Sequence, residues 1–350
     1  MTPFVLTFLV AFGFSLVLTP LVGKLSRRWG VVAVPGGRRR HPRAIPKMGG
    51  LALFGAFLLA VLFAQLLPVE RGDPKEPIRL LGLLLGGGII FAVGIIDDIR
   101  ELPPLPQLVV QIVGALVAIL HLIIIEYVNN PLTGGWTPQF PSWFTFVFTM
   151  LWLLGMTNTV NWLDGLDGLA VGVTAIASAV LFINAAYRLD PAQESVALLP
   201  LALLGASLGF LPFNFFPARV FVGGSALWLG FTLGALSIIG GAKMAAVLLV
   251  MGMPILDVAW QIVSRLRRGS NPAKGDRGHL HFRLQDLGVS QRKIVLAYYL
   301  FSAFFGTLTL VISSRLFKLI AIGVMALIVL AVMYWFARAS SRDLGGRARE

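Results

Sequence analysis

The chain has 350 residues, 57% of them hydrophobic and 13% charged, with a formal net charge of +13 and a mean hydropathy of +0.83. A soluble domain carries roughly 25% charged residues, so this composition excludes an ordinary water-soluble globule. The absence of cysteine excludes disulfides and thiolate metal sites but does not fix a compartment.

Apolar stretches of about 20 residues, the length that crosses about 30 Å of hydrocarbon, recur from end to end. In chain order the predicted spans are Pro3 to Val22, Gly49 to Leu67, Arg79 to Ile96, Pro106 to Ile125, Trp143 to Asn158 and Gly168 to Tyr187. Val196 to Phe213, Ser225 to Gly240, Ala242 to Ser264, Arg292 to Ser313 and Leu316 to Phe336 follow. That makes about eleven, or about ten if one of the short fifth and eighth segments stays inside. The first lacks a basic leader and a small-residue cleavage site, so it reads as a span rather than a signal peptide. No internal repeat is evident, which argues against a carrier built from duplicated halves. The expected fold is an all-α polytopic membrane protein, with one integral-membrane domain over residues 1–337 and a basic cytoplasmic tail over 338–350.

Basic residues orient the spans. The loops after odd-numbered spans, with the C-terminal tail, hold 22 of the 29 lysines and arginines, against 7 on the other side. The odd loops and the C-terminus are therefore expected in the cytoplasm, with the N-terminus outside. Such loops suit anionic lipid headgroups and anionic substrates rather than nucleic acid. On the outer side, VNNPLTGGWTPQFP predicts a turn-rich connection or a small hairpin.

The polar stretches that resemble chemistry fall in the odd loops. They are RRRHPRAIPKMGG, IDDIRELPP, NTVNWLDGLDGLA, FNFFPARVF and DRGHLHFRL. Asp97 and Asp98 end the third span, where the helix dipole and their mutual repulsion both disfavour anions. A divalent cation would relieve both costs, and Mg²⁺ takes one or two carboxylates plus phosphate oxygens; alternatively the pair marks only the water boundary. Asn158, Asn161, Asp164 and Asp167 recur every third residue and would form one ridge on helical or 3₁₀ backbone. An Asp-rich helix cap is the plainer reading, but four polar residues in register exceed what a cap requires. His279 and His281 lie among Asp276, Arg277 and Arg283. Without a third nearby ligand of the usual kind, a phosphate site fits them better than zinc, because arginine forks match phosphate oxygens. Asp257 is the main carboxylate within a span, expected to be ion-paired or hydrogen-bonded near the interface.

These motifs, in this order, resemble the polyprenyl-phosphate N-acetylhexosamine-1-phosphate transferases. The similarity is strongest to the bacterial undecaprenyl-phosphate GlcNAc-1-phosphate transferases and weaker to the phospho-MurNAc-pentapeptide translocases. It rests on Arg38, Arg39 and His41 with Pro46, Gly49 and Gly50; on Asp97, Asp98 and the following LPP; on Asn158 to Ala170; on Phe213, Asn214, Pro217 and Ala218; and on Asp276 to Leu284. The resemblance implies transfer of an N-acetylhexosamine 1-phosphate from a UDP-sugar to undecaprenyl phosphate with release of UMP. It also implies Mg²⁺, with Mn²⁺ as a substitute, an active face on the cytoplasmic side of the bacterial inner membrane, and a homodimer. By the same resemblance Asp97 and Asp98 are catalytic and metal-binding. His41, Arg43, Asn158, Asn161, Asp164, Asp167, Asn214, Arg277, His279, His281 and Arg283 are implied to bind substrate.

Three positions depart from the family pattern. Phe221-Val222-Gly223-Gly224-Ser225-Ala226 stands where the family has Phe-Met-Gly-Asp followed by Ser, Thr or Ala, then Gly and Ser, so an acidic residue is missing and the segment is one residue short. Ala33 replaces an aspartate, and Phe282 replaces the second of two adjacent histidines. A family member that binds ligands without efficient turnover, or a carrier of lipid phosphate, therefore stand as alternatives to an active transferase.

Overall fold

The computed structural model describes residues 2–35, 43–128, 130, 133, 135–189, 192–241, 244–270 and 277–347, with side chains through 335. The chain opens with α1 (Thr2–Arg28), then a short antiparallel hairpin, β1 (Val32–Ala33) with β2 (Ile45–Pro46), in which Val32 faces Pro46 and Ala33 faces Ile45. Next come α2 (Gly50–Ala64), α3 (Glu76–Arg100), α4 (Pro104–Leu120) and α5 (Ser142–Leu163). α6 (Leu169–Ile183) runs on through a π-helical turn, and α7 (Glu194–Asn214) follows. A 3₁₀ turn at Gly223–Ser225 leads into α8 (Ala226–Ile239). The chain closes with α9 (Met244–Val250), α10 (Gly252–Arg267), α11 (Leu280–Asp286), α12 (Gln291–Val311) and α13 (Arg315–Arg347).

The protein is a helical, polytopic membrane protein. Among the described residues, 7 helices are long and apolar enough to cross a bilayer, and α9 with α10, bent by 79°, make up to 8 if the pair is one span. The remaining predicted spans fall on shorter apolar helices of 10–17 residues, namely α2, α4 and the 3₁₀ turn with α8. α13 stays helical across the predicted tail boundary at 338, as far as Arg347. The hairpin β1–β2 was not anticipated. The turn-rich connection expected between α4 and α5 is present: Thr137 N–H donates to the Val128 carbonyl (2.9 Å) and Phe140 N–H to the Glu126 carbonyl (2.7 Å), pairing the two limbs.

Burial explains the arrangement. All 14 residues of α8 are buried, as its apolar character on every side requires of a central helix. Trp228 of α8 sits edge-on to Phe54 and Phe57 of α2 and to Phe91 of α3. α1 packs along α7, where Gly205 and Gly209 let the backbones approach, as small residues four apart do between membrane helices. Ser15 Oγ donates to the Ala206 carbonyl at 2.7 Å across that contact, satisfying a hydroxyl that lipid could not. α1 and α13 leave long rows of Leu, Val, Ile and Phe exposed, which suits lipid contact.

Candidate active site

The site forms where the odd loops converge at one end of the bundle. β2 and the glycines after it pair with the strand-like segment before α8. Phe221 N–H donates to the Pro46 carbonyl (2.8 Å), Gly49 N–H to the Phe221 carbonyl (2.9 Å) and Gly50 N–H to the Val222 carbonyl (3.1 Å). A Cβ at Gly50 would collide with Ser225, so the Gly-Gly pair of the first motif is needed for this approach. The pairing brings Lys47 to the end of α3, where its Nζ donates to the Asp98 carbonyl (3.3 Å) and lies 3.5 Å from Glu101.

Asp97 and Asp98 have different surroundings, because neighbouring helical residues point about 100° apart. Asp97 Oδ1 accepts hydrogen bonds from Leu102 N–H and from Gln107 Nε2, both at 2.8 Å, and so holds the turn between α3 and α4. Asp98 is buried, and its Oδ1 accepts from Gly224 N–H at 2.9 Å. Its Oδ2 is buried with no hydrogen-bond partner. An unsatisfied buried carboxylate oxygen costs several kcal/mol, so it signals a group still to be supplied. Gly223, with φ at +72°, sits against that carboxylate, and a Cβ there would strike both oxygens. The two glycines where the family has an acid thus occupy the space beside Asp98.

The Asn–Asp ridge does not stay together, because α5 ends at Leu163 and the chain turns through Gly168 at φ +81°. Asn158, still in α5, donates to Gln111 Oε1 of α4 at 2.6 Å. Asp167 Oδ2 accepts from Ala218 N–H (2.9 Å), while Asn214 accepts from Gly168 N–H (3.1 Å) and donates to the Val220 carbonyl (3.0 Å). These three residues tie the site's walls together. Half-buried Asn161 and Asp164 line the same loop, and Asp164 is close enough to Asp98 for their charges to interact. Loss of hydration pushes the Asp164 carboxyl up to about 7, and Asp167 adds to the rise.

Loop nine closes the other side. His279 Nδ1 lies 2.8 Å from Asp257 Oδ2, and its ring stacks on His281 with centroids 5.7 Å apart. His281 is buried, both its nitrogens lack a partner, and burial lowers its pKa to about 3, so it is neutral. A Cβ at Gly165 would collide with His281 Nε2, which places the histidine against the Asp164–Gly165 turn. Arg277 pairs with Asp286 at 2.8 Å and covers the Phe282 ring at 4.7 Å. Arg283 Nε donates to the Gly278 carbonyl at 2.7 Å. Arg43 is exposed at the mouth of loop one, and His41 and Asp276 lie outside the described residues. An open groove of about 650 Å³ runs past Phe216 to Arg292 at the start of α12. Among the described residues no three acids and histidines cluster as a ready-made metal site.

A family model described as glycosyl transferase family 4 matches residues 80–241. The probable undecaprenyl-phosphate N-acetylglucosaminyl 1-phosphate transferase of Bacillus subtilis is 30% identical over 318 residues, covering 89% of this chain and 85% of that protein. The chain belongs to glycosyl transferase family 4. The decaprenyl-phosphate N-acetylglucosaminephosphotransferase of Mycolicibacterium smegmatis is 34% identical over 305 residues (81% and 75% of the two chains). The phospho-N-acetylmuramoyl-pentapeptide-transferase of Acetivibrio thermocellus is 31% identical over 318 residues (85% and 92%). In this family 4 member, Ala33 is buried in the hairpin, and Phe282 packs beside His281 and under Arg277. Both replacements are apolar residues accommodated by their surroundings. Sequence reasoning missed Lys47, an unassigned position within the first motif, and Gln107, which lies outside every motif; Tyr299 shows itself only through the loop it holds, where its hydroxyl donates to the Gly168 carbonyl at 2.5 Å.

Proposed function

We propose that this family 4 member transfers N-acetylglucosamine 1-phosphate from UDP-N-acetylglucosamine to undecaprenyl phosphate, releasing UMP. The observation that carries the reading is the partnerless, buried Asp98 Oδ2 beside Asp164, at the meeting point of loops from five parts of the chain. The Bacillus subtilis and Mycolicibacterium smegmatis relatives are named for undecaprenyl phosphate and decaprenyl phosphate, which agrees with a site at the end of apolar helices.

A phosphate oxygen of the lipid attacks the β-phosphorus of the nucleotide sugar. A P–O bond forms there, the bond to the bridging oxygen breaks, and UMP departs with that oxygen. A phosphate monoester is mostly ionised at neutral pH, so the nucleophile needs little help from a base. Positioning and charge neutralisation dominate such transfers.

Asp98 and Asp164 fit a Mg²⁺ ion that arrives with the diphosphate: one carboxylate oxygen of Asp98 is buried and bare, Asp164 lies close by, and among the described residues no third acid or histidine completes a ready-made site. When bound, Mg²⁺ would supply charge neutralisation on the transferring phosphoryl oxygens. The protein's own residues orient the substrate. Neutral His281, with both nitrogens unpartnered, suits sugar or phosphate groups rather than an ion pair. Lys47 adds positive potential beside Asp98.

The same reading puts this face in the cytoplasm of a bacterial inner membrane, with the N-terminus outside, all eleven apolar segments crossing, and the basic loops against anionic headgroups. The test is UMP release from UDP-N-acetylglucosamine and undecaprenyl phosphate by the purified full chain in detergent with Mg²⁺. One UMP per lipid-linked sugar phosphate is expected. No release from folded protein that still binds UDP would overturn the reading in favour of a ligand-binding relative without turnover.

A further inference from the structure

Asp257 lies in α10 and is buried, yet no step above uses it. Both of its oxygens face the start of α11. Oδ1 accepts from Leu280 N–H at 3.1 Å, and Oδ2 meets His279 Nδ1 at 2.8 Å. One turn along the same face of α10, Gln261 donates to the Gly278 carbonyl, which also accepts from Arg283 Nε at 2.7 Å. The backbone of residues 278–280 is therefore held by Gln261 and Arg283 as well as by Asp257. The contact that Asp257 alone makes is the one to the His279 ring.

We propose that Asp257 is a positioning residue for the histidine pair: it keeps the proton on His279 Nδ1, so that Nε2 is the nitrogen presented to the nucleotide sugar, and through the stacked rings it sets the orientation of His281. A carboxylate with a backbone N–H on one oxygen can meet Nδ1 only as an acceptor, so Nδ1 must donate. The ring is fixed in place as well as in tautomer, because Trp162 tilts against it at 5.7 Å and Arg265 covers Trp162 at 5.7 Å. Carboxylates that fix an imidazole in this way set which ring nitrogen works; at metal-bound histidines losing one costs about 10–100-fold in affinity or activity, and a loss on that scale is expected here. The proposal rests on the transferase reading for its consequence, but not for the tautomer.

Asp257→Asn separates this role from a structural one. Asparagine keeps the size and can still accept from Leu280 N–H, but its amide then turns a donor toward Nδ1 and favours the Nε2–H tautomer. Nitrogen-15 spectra of histidine-labelled full chain should show Nδ1–H at His279, assigned by its loss in His279→Ala, and a shift toward Nε2–H in Asp257→Asn. The kcat/KM for UDP-N-acetylglucosamine should fall about 10–100-fold in Asp257→Asn, with melting temperature unchanged. Asp257→Asn combined with His279→Ala should be no worse than His279→Ala alone. A bare Nδ1 in the native protein, wild-type kcat/KM in Asp257→Asn, or additive losses in the pair would each overturn the proposal. If the native chain releases no UMP, the transferase reading fails, and the tautomer spectra still decide the role of Asp257.

Discussion

Helix α3 carries a buried acid near each end, about 33 Å apart at 1.5 Å per residue, and the two are treated in opposite ways. Glu76 is fully satisfied: Arg71 Nη1 lies 2.5 Å from Oε1, and Ser195 Oγ donates to Oε2 at 2.7 Å. Asp98 receives one backbone hydrogen bond and keeps one oxygen buried and bare. Burying a charge is tolerable when it is paired and hydrogen-bonded, and costly when it is not. The Glu76 carboxylate is therefore satisfied as the chain folds, whereas Asp98 keeps one oxygen open to a ligand. Other buried polar atoms among the described residues also lack partners, Arg71 Nη2 beside Glu76 among them, so it is the bare carboxylate oxygen within the converging motif loops that marks the working end.

The sharpest way to break the comparison is to remove the incomplete group. Asp98→Asn should lower UMP release by about 1,000-fold or more, the scale of losing a charge contact in phosphoryl transfer. Its melting temperature without ligand should hold or rise, since a costly buried charge is removed and no protein partner of Oδ2 is lost. Asp97→Asn keeps the Oδ1 acceptor for Leu102 and Gln107 and so keeps the turn, but it removes a charge next to the site. A fall of about 100-fold is expected there. Near-normal release from either variant would remove that aspartate from the chemistry.

That difference between adjacent aspartates shows where sequence reasoning stops. The apolar spans, the gathering of polar motifs in alternate loops and the family pattern were all legible, because hydropathy and motif spacing are local properties. A spacing of three makes one ridge of Asn158 to Asp167 only if helical or 3₁₀ backbone runs through the whole stretch. The helix ends at Leu163, and Asn158 and Asp167 turn to Gln111 and Ala218 instead. Those partners lie in other helices and loops, and no local pattern announces them. Lys47 counted only as a charge that orients the chain, and its reach to the Asp98 carbonyl depends on the β2 pairing with residues 221–222. Asp257 is expected from sequence to be ion-paired or hydrogen-bonded, and it is hydrogen-bonded; that its partner is His279 needed the fold.

The next test asks what completes the Asp98 end. Gly224→Asp restores the acid of the family pattern but not the segment's length. A Cβ at Gly224 would collide with the backbone carbonyl of Gly94, which α3 holds rigidly, so the variant should lose stability and gain no turnover. Replacing Gly224-Ser225-Ala226 with Asp-Ser-Gly-Ser supplies the acid and the one missing residue together. It should lower the half-saturating Mg²⁺ concentration for UMP release and raise turnover, each by about 10-fold. Equal Mg²⁺ dependence in the rebuilt and native chains would mean that the native carboxylates suffice.

A smaller effect should appear without substrate, as pH dependence. The Asp164 carboxyl is pushed up to about 7 in the folded protein, against an ordinary value of 3.8. The native state therefore holds its proton more tightly than the unfolded chain does. Its contribution to stability is fully present below about 4 and is lost as pH rises through about 7. The melting temperature of ligand-free protein should fall between pH 5 and pH 8, and Asp164→Asn should flatten that slope. Mg²⁺ with UDP should oppose the fall at pH 8, because the cation favours the ionised carboxylate. An unchanged slope in Asp164→Asn would mean that solvent at this half-buried group screens the effect.

The smallest change is expected at the finished end of α3, and only in stability. Glu76→Gln preserves shape and can still accept from Ser195, but it turns an amide toward Arg71, whose Nη2 already lacks a partner. Arg71 keeps 28% of its side-chain surface exposed, so water takes up part of the lost contact and limits the cost to about 1–2 kcal/mol. For a chain of this size that corresponds to a fall of about 1–3 °C in melting temperature. The rate of UMP release per folded molecule should not change, because no residue of the Glu76 cluster contributes to the loops around Asp98. A clear loss of turnover with an unchanged melting temperature would reverse the contrast. It would mean that the Glu76 cluster communicates along α3 with the catalytic end, and that a satisfied acid is no guide to a purely structural role.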